Sequence, residues 1–273
     1  MNSDLREAYA RDGVVFLPKA LSAAALAQAQ AAYDWSLANP GRGASRVRQA
    51  NDSTFYNDLF NPDCLTGYRA MLEASPIPAM VADLWGAPDV WFMYEQVFLK
   101  EGGEARRTPW HQDSSYLTIA GPHLAVVWIT FDAVTAADSL EFVRGSQLGQ
   151  LYNGSRFELG DDTAPLHPGS TLPRLPDIEA ARGDFDIVSW ACEPGDLVVF
   201  HPSLLHGGAP THPGGRRRTL TLRFFGDQCV YDPREGGAGP PIPGFHQRMR
   251  AGDPFRVPAF LKLRSSGVQS DRR

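Results

Sequence analysis

The chain changes texture near residue 88. Before it, apolar residues recur at three- and four-residue spacing inside Ala-rich or polar stretches; after it, they come in short runs cut by Gly, Pro and Asp. The first texture predicts helices and the second strands. A short helix over 3–10 is closed by Arg11-Asp12-Gly13 and followed by an apolar strand over 14–18. Ser22 opens a second helix through about 37, with Leu21, Leu26, Ala29 and Tyr33 as its buried face and Asn39-Pro40-Gly41 as its stop. Two more are expected over 62–74 and 78–85, the latter ended by Gly86. Before them, residues 42–61 show no period and read as a long irregular loop, either a lid or binding loop or a mobile surface loop. It carries Arg46, Arg48, Gln49 and Asn51 among Phe55, Tyr56 and Phe60.

Strands are expected over 90–99, 124–131, 140–143, 187–190, 197–200 and 219–225. That many short strands close best into a barrel or a double-sheet jelly roll. With the helices packed on one sheet, the expected fold is α+β and mainly β: a jelly-roll (double-stranded β-helix, cupin-like) core behind N-terminal helices. At 273 residues one domain suffices. Its expected parts are a helical 1–87, a core over 88–227 interrupted by a Gly/Pro/Asp-rich insertion near 147–184, and an extension over 228–273.

Composition adds exclusions. The 22 Pro and 26 Gly favour many turns, hence strands over a helical bundle. A net charge of −5 and a pI near 5.8 give no electrostatic reason to expect nucleic acid or an anionic membrane as partner. Cys64, Cys192 and Cys229 are few and far apart, which argues against a disulfide framework or a cysteine zinc site and for a reducing compartment. The first residues lack an apolar signal core, and no run approaches the roughly 18 apolar residues of a membrane span. A cytoplasmic protein is the expectation.

The candidate chemistry begins at Trp110-His111-Gln112-Asp113. In an extended segment the side-chain period is two, so His111 and Asp113 share a face and can reach one metal ion. A third ligand would complete a two-histidine, one-carboxylate face, leaving about three of roughly six positions open. Downstream, Pro194-Gly195-Asp196 is a turn, 197–200 a strand, and His206 begins the next element beside Gly207 and Gly208, which permit close backbone approach. His206 is the expected third ligand, with His201 its competitor. Eleven residues further, alternation along the last core strand puts Arg217, Thr219 and Thr221 on one face and Arg218, Leu220 and Leu222 on the other. A guanidinium on the metal side can anchor a carboxylate, as the far end of 2-oxoglutarate requires. Arg216 and Arg218 otherwise suit a solvated basic turn.

Taken together, His111-Gln112-Asp113, His206-Gly207 and Arg217-Arg218-Thr219-Leu220 resemble the phytanoyl-CoA dioxygenase family of iron(II)- and 2-oxoglutarate-dependent oxygenases. Phe98-Leu99-Lys100, Val127-Trp128-Ile129 and the segment from Pro194 to His201 support the resemblance, which runs from about Asp12 to Asp227. It implies Fe(II) on His111, Asp113 and His206, 2-oxoglutarate on Arg217 beside Trp128 and Thr219, and O2 as oxidant. The implied reaction is oxidative decarboxylation to succinate and carbon dioxide coupled to hydroxylation of an unactivated C–H bond. Asp113 bears on the outcome, because related halogenases have no carboxylate there. Arg144-Gly145-Ser146-Gln147 and Asp138-Ser139 depart from the family's usual Pro-Gly-Ser-His and its Gly-Gly or Asn-Gly pair, leaving the substrate open.

Two rivals use the same residues: a zinc hydrolase, which leaves Arg217 without a role, and a non-catalytic jelly-roll ligand-binding protein. For the substrate, Arg46, Arg48, Gln49, Asn51, Tyr94 and Gln96 would make a polar pocket, whereas Phe55, Tyr56, Tyr116 and Phe157 would make an aromatic one. The acidic balance favours a small polar metabolite over an acyl-CoA with its several phosphates.

Overall fold

Four strands alternate strictly enough to define two opposite surfaces of one sheet. Val127, Ile129, Leu197, Val199, Leu220, Leu222, Val97 and Leu99 pack into one apolar cluster with the helices, whereas Val126, Trp128, Val198 and Phe200 pack into another on the opposite side. Each aliphatic side chain so buried contributes roughly 1.5–3 kcal/mol relative to exposure. The alternation thus decides which residues can face a central cavity. The computed structural model describes residues 3–48, 53–102, 107–158, 160–208, 210–212 and 214–264.

Its strands in chain order are β1 (Val14–Leu17), β2 (Ser45–Arg48), β3 (Thr54–Leu59), β4 (Asp89–Glu101), β5 (Thr108–His111), β6 (Ile119–Ala120) and β7 (Leu124–Thr130). They continue with β8 (Leu140–Val143), β9 (Ile187–Ser189), β10 (Leu197–Phe200), β11 (His206–Gly208), β12 (Arg216–Phe225), β13 (Val230–Tyr231) and β14 (Lys262–Arg264). The major sheet runs β1-β10-β7-β12-β4-β3-β2, with β14 also on β4; the minor sheet runs β5-β11-β8-β9. All their pairings are antiparallel. This is a jelly roll whose two sheets enclose the cavity, as expected.

Helices α1 (Ser3–Asp12), α2 (Ala23–Ala38), α3 (Leu65–Ala74) and α4 (Ile77–Trp85) precede β4, and α1, α2 and α4 contact strands of the major sheet. Ser22 caps α2, its hydroxyl accepting the Ala25 N–H at 3.2 Å, and Gly86 closes α4 at φ 68°. The buried stripe of α2 is Ala25, Ala29, Ala32, Tyr33 and Ser36, with Leu26 only half-buried. Small residues let this helix lie close to its neighbours, a choice that apolarity alone does not reveal.

The irregular loop expected over 42–61 is mostly strand. β2 pairs with β3, and β3 pairs with the free edge of β4 from Thr54↔Glu101 to Leu59↔Gln96. A period of two is present in 54–59, but Asn57 faces the cavity and Asp58 the helix side, so polar residues on both faces hide it. Gln49 and Asn51 lie outside the described residues. The insertion after β8 carries short 3₁₀ turns at Ser146–Leu148 and Arg182–Asp184, and between them it contributes Phe157 to the lining of the cavity.

Candidate metal and co-substrate site

β11 lies between β5 and β8, and its register sets His206 directly opposite His111. Their rings lie 4.2 Å apart between centroids. The approach depends on the two glycines that follow. A Cβ on Gly208 would stand 3.0 Å from the Thr108 hydroxyl and 3.1 Å from its Cβ, and one on Gly207 would stand 3.1 Å from the Thr108 carbonyl.

β5 ends at His111, and Asp113 opens a 3₁₀ turn, Asp113–Tyr116, rather than continuing the strand. Gln112 between them stays extended (φ −119°, ψ 123°), so the same-face relation of His111 and Asp113 survives. Gln112 also fixes the turn from beneath: its amide N–H donates to the Ser203 carbonyl at 2.7 Å, and its Oε1 accepts from the Tyr152 N–H at 2.8 Å. Arg234 donates to the carbonyls of Ser114 and Leu117 on the turn's other side.

Asp113 Oδ1 lies 3.3 Å from His111 Nε2 and 3.7 Å from His206 Nε2. Among the described residues these three form the metal-capable group, with ligand atoms all within 4.8 Å of one another. The opposite nitrogen of each imidazole points at a backbone carbonyl, His111 Nδ1 at Pro109 and His206 Nδ1 at Leu204, both at 2.9 Å. A carbonyl only accepts, so Nδ1 carries the proton and Nε2 turns a lone pair inward. Burial, with His111 close by, pushes the His206 pKa down to about 3, which keeps its ring neutral. Lone pairs and a carboxylate oxygen converging on one point repel each other unless a cation lies between them, so the donor set fits a divalent metal.

Burial would raise the Asp113 pKa, but the Arg223 guanidinium opposes it and the carboxyl is held well below the usual range. Arg223 Nη2 and Nε donate to Asp113 Oδ2 at 2.7 and 3.2 Å. Sequence reasoning overlooked Arg223, although the alternation that selected Arg217, Thr219 and Thr221 reaches it at the next step.

The triad sits on the wall of a cavity of about 570 Å³. Arg217, Trp128 and Thr219 line it, as expected of residues on the inner face, and so do Tyr94, Gln96 and Tyr116. Arg217 is 7 % exposed, its Nη1 donates to the Asp138 carbonyl at 2.5 Å, and burial pushes its pKa down to about 10. Its cross-strand partner on β4 is Lys100, also in the lining, whose pKa burial and Arg217 push down to about 7. Two buried cations side by side make this end of the cavity a receptor for an anion.

Several other residues singled out in the sequence lie away from the cavity. Arg46 and Arg48 are exposed on the edge strand β2, with the Arg46 guanidinium 5.4 Å over the Tyr56 ring, and neither lines the cavity. Tyr56 is buried on the helix side with the core. His201 is structural: its Nδ1 accepts from the Ser203 N–H at 3.1 Å and its Nε2 faces the Gly121 carbonyl at 3.2 Å. Arg218 is not a free basic turn but grips Asp132, with Nη2 at 2.9 Å and Nε at 3.1 Å. The remaining lining includes the aromatic and aliphatic Phe55, Leu59, Phe60, Tyr116 and Phe157, relieved by the Asn57 and Gln96 amides, the Thr108 and Thr221 hydroxyls and Arg107, which is paired with Glu141.

A family model described as phytanoyl-CoA dioxygenase (PhyH) matches residues 9–219. A probable phytanoyl-CoA dioxygenase of Caenorhabditis elegans is 26% identical over 167 residues, which cover 58% of this chain and 50% of the relative. The chain thus spans half the length of that curated relative. Among solved structures, the epimerase SnoN in complex with Fe3+, alpha ketoglutarate and nogalamycin RO aligns with a TM-score of 0.68 at 20% identity, covering 96% of this chain and 98% of that one. The alpha ketoglutarate dependent carbocyclase SnoK from nogalamycin biosynthesis aligns at 0.68 and 17%, covering 96% of each chain. EctD from S. alaskensis, with 2-oxoglutarate and 5-hydroxyectoine, aligns at 0.61 and 19%, covering 93% of this chain and 85% of that one. At these identities the structural likeness speaks for the fold.

Proposed function

Because the chain belongs to the phytanoyl-CoA dioxygenase family of iron- and 2-oxoglutarate-dependent oxygenases, we propose that it hydroxylates an unactivated C–H bond of a small, largely apolar molecule. The observation that carries this reading is one cavity with the His111, Asp113 and His206 donor set on its wall and the Arg217–Lys100 pair at one end. In it, His111, Asp113 and His206 hold Fe(II), which with 2-oxoglutarate and O2 supplies the oxidising power. Arg217 and Lys100 take the distal carboxylate of 2-oxoglutarate, and Trp128 and Thr219 flank it. Arg217 and Thr219 alternate along β12 with Arg218 and Leu220 on its opposite face, so the co-substrate pocket is built on rigid strand rather than loop.

The substrate is read from the rest of the lining. Without Arg46 and Arg48, the polar groups left in the lining near the triad are the Asn57 and Gln96 amides, the Thr108 and Thr221 hydroxyls, and two guanidiniums already paired with carboxylates, Arg107 on Glu141 and Arg223 on Asp113; the space is otherwise bounded by Phe60, Tyr94, Tyr116 and Phe157. A ring-containing molecule with few polar groups suits it better than the small polar metabolite expected from charge balance. The similar folds include an epimerase and a carbocyclase, so the triad leaves the product class to substrate placement.

Succinate release from 2-oxoglutarate, measured with Fe(II) across a panel of hydrophobic ring compounds, tests the proposal. Stimulation by some panel members, abolished in Asp113→Ala, is the expected result. Absence of succinate formation with or without added compounds, together with no 2-oxoglutarate binding by the metal-loaded protein, would overturn it in favour of the zinc-hydrolase or binding-protein readings.

A further inference from the structure

Asp113 has two oxygens, and the structure treats them differently. Oδ1 faces the two imidazoles at 3.3 and 3.7 Å. Oδ2 accepts both short contacts from Arg223, at 2.7 and 3.2 Å. The guanidinium therefore does not straddle the carboxylate in a fork-to-fork pair but loads a single oxygen. Its orientation is fixed from several directions. Nη1 donates to the Thr221 hydroxyl at 3.2 Å, Nη2 also donates to Gln96 Oε1 at 2.8 Å, and Gln96 in turn donates to Asn57 Oδ1 at 2.9 Å. The guanidinium face lies 4.6 Å over the Tyr94 ring, itself stacked on Phe60 at 3.8 Å. At 5 % exposure, Arg223 gives up these partners only by leaving a buried charge unpaired.

We infer that Arg223 is a positioning residue that reserves Oδ2, so that Asp113 presents Oδ1 alone to a bound metal and a coordination position stays open for 2-oxoglutarate. The inference rests on the metal reading above. A carboxylate free to turn can offer both oxygens to a divalent ion and occupy a position that the two-point chelation of a keto acid needs. A residue that merely neutralised a buried acid would need only a positive charge. The one-oxygen arrangement needs the planar, multi-donor guanidinium, which lysine does not replace.

The variants Arg223→Lys and Arg223→Ala separate these roles. The probes are Co(II), followed by its visible absorption, and 2-oxoglutarate added to the Co(II)-loaded protein under anaerobic conditions. In the wild type, Co(II) binds with a defined spectrum that changes when 2-oxoglutarate is added. In Arg223→Lys, Co(II) still binds but with an altered spectrum, and 2-oxoglutarate affinity falls on the order of 10-fold, within the range that partners of metal ligands command. Guanidinium chloride at low, non-denaturing concentration restores the wild-type spectrum in Arg223→Ala by filling the vacated space. A wild-type spectrum and 2-oxoglutarate affinity in folded Arg223→Lys would overturn the inference while leaving the metal site standing. Outright loss of Co(II) by folded Arg223→Lys would also overturn it, making Arg223 a support for the site as a whole. Failure of the wild type to bind Co(II) would remove the metal reading and this inference together.

Discussion

At the scale of single residues, the anion-receiving end of the cavity couples binding to pH. Lys100 is pushed by burial from its ordinary 10.5 to about 7, so above that pH it loses its charge. A bound dicarboxylate favours the protonated form, and binding above pH 7 must therefore take up a proton. The affinity of the metal-loaded protein for 2-oxoglutarate should fall by up to about 10-fold per pH unit between pH 7 and 8.5. Calorimetric titration over that range checks it, and Lys100→Met should bind more weakly but without the slope. A second residue, Glu95, lies on the opposite side of β4 from the cavity, 1 % exposed. Its Oε1 accepts from the Asn61 N–H at 3.0 Å, while Oε2 has no hydrogen-bond partner among the described residues. Burial raises its pKa from 4.5 to about 7. The folded state therefore holds the proton more tightly than the unfolded one. The stability this brings is complete below about pH 4.5 and is lost as pH rises through 7, on the order of 3 kcal/mol in all. Glu95→Gln should accordingly melt higher than the wild type at pH 8, with the gap closing towards pH 5. These residues differ in legibility. His111, Asp113, His206 and Arg217 stand out in the sequence by spacing, and Arg223 was readable by carrying the same alternation one step further. Lys100 was visible only as part of a motif, because its place beside Arg217 depends on the β4–β12 register, which the hydrophobic pattern does not specify across strands.

Among elements, the site depends most on how closely β11 approaches β5. The Gly208 position leaves no room, since an added Cβ meets Thr108 at both its hydroxyl and its Cβ, and rotating the threonine relieves only the first contact. Gly208→Ala should therefore push the two strands apart by a few tenths of an ångström, costing about 1–3 kcal/mol as overpacking does. Because His111 and His206 face each other across this pair, the variant should lose metal affinity beyond what its lowered Tm implies. Parallel melting and Co(II) titration check the point. Ser22→Ala, which removes the cap of α2 far from the cavity, is the matching control and should cost about 1 kcal/mol with metal affinity unchanged. The helices and most core strands were legible because each has an internal signal, a cap, a stop or a run of apolar residues. β2 and β3 were not, because β3 is a strand by virtue of the edge that β4 offers it, and β2 by virtue of the edge that β3 offers in turn. With Asn57 facing the cavity and Asp58 accepting the Gly41 N–H at 2.8 Å on the other side, neither face of β3 is uniformly apolar. A strand that carries polar function on both faces leaves no binary pattern to read.

For the whole molecule, the site joins parts of the chain that have little else in common. His111 comes from β5, His206 from β11, Asp113 from the turn that Gln112 and Arg234 anchor to the insertion and the tail, and Arg217 and Arg223 from β12. On the proposed reading, a metal ion bridging the first three would tie the minor sheet to that turn, and 2-oxoglutarate reaching Arg217 would tie both to the major sheet. Neither ligand finds this constellation in the unfolded chain, so both stabilise the fold by mass action, about 2.7 kcal/mol for each at a free concentration 100-fold above its dissociation constant. At roughly 2–4 °C per kcal/mol for a domain of this size class, saturating Mn(II) should raise Tm by about 5–10 °C. Adding 2-oxoglutarate should raise it by a similar step, but only after the metal, since the keto-acid end has nothing to chelate without it. Asp113→Ala should lose both steps. Arg217→Met should keep the first and lose most of the second, because its metal ligands are intact while the far carboxylate keeps only Lys100. Thermal melts of the three proteins in chelator, in Mn(II), and in Mn(II) with 2-oxoglutarate distinguish this ordered coupling from two independent sites, for which 2-oxoglutarate would raise Tm equally with and without the metal.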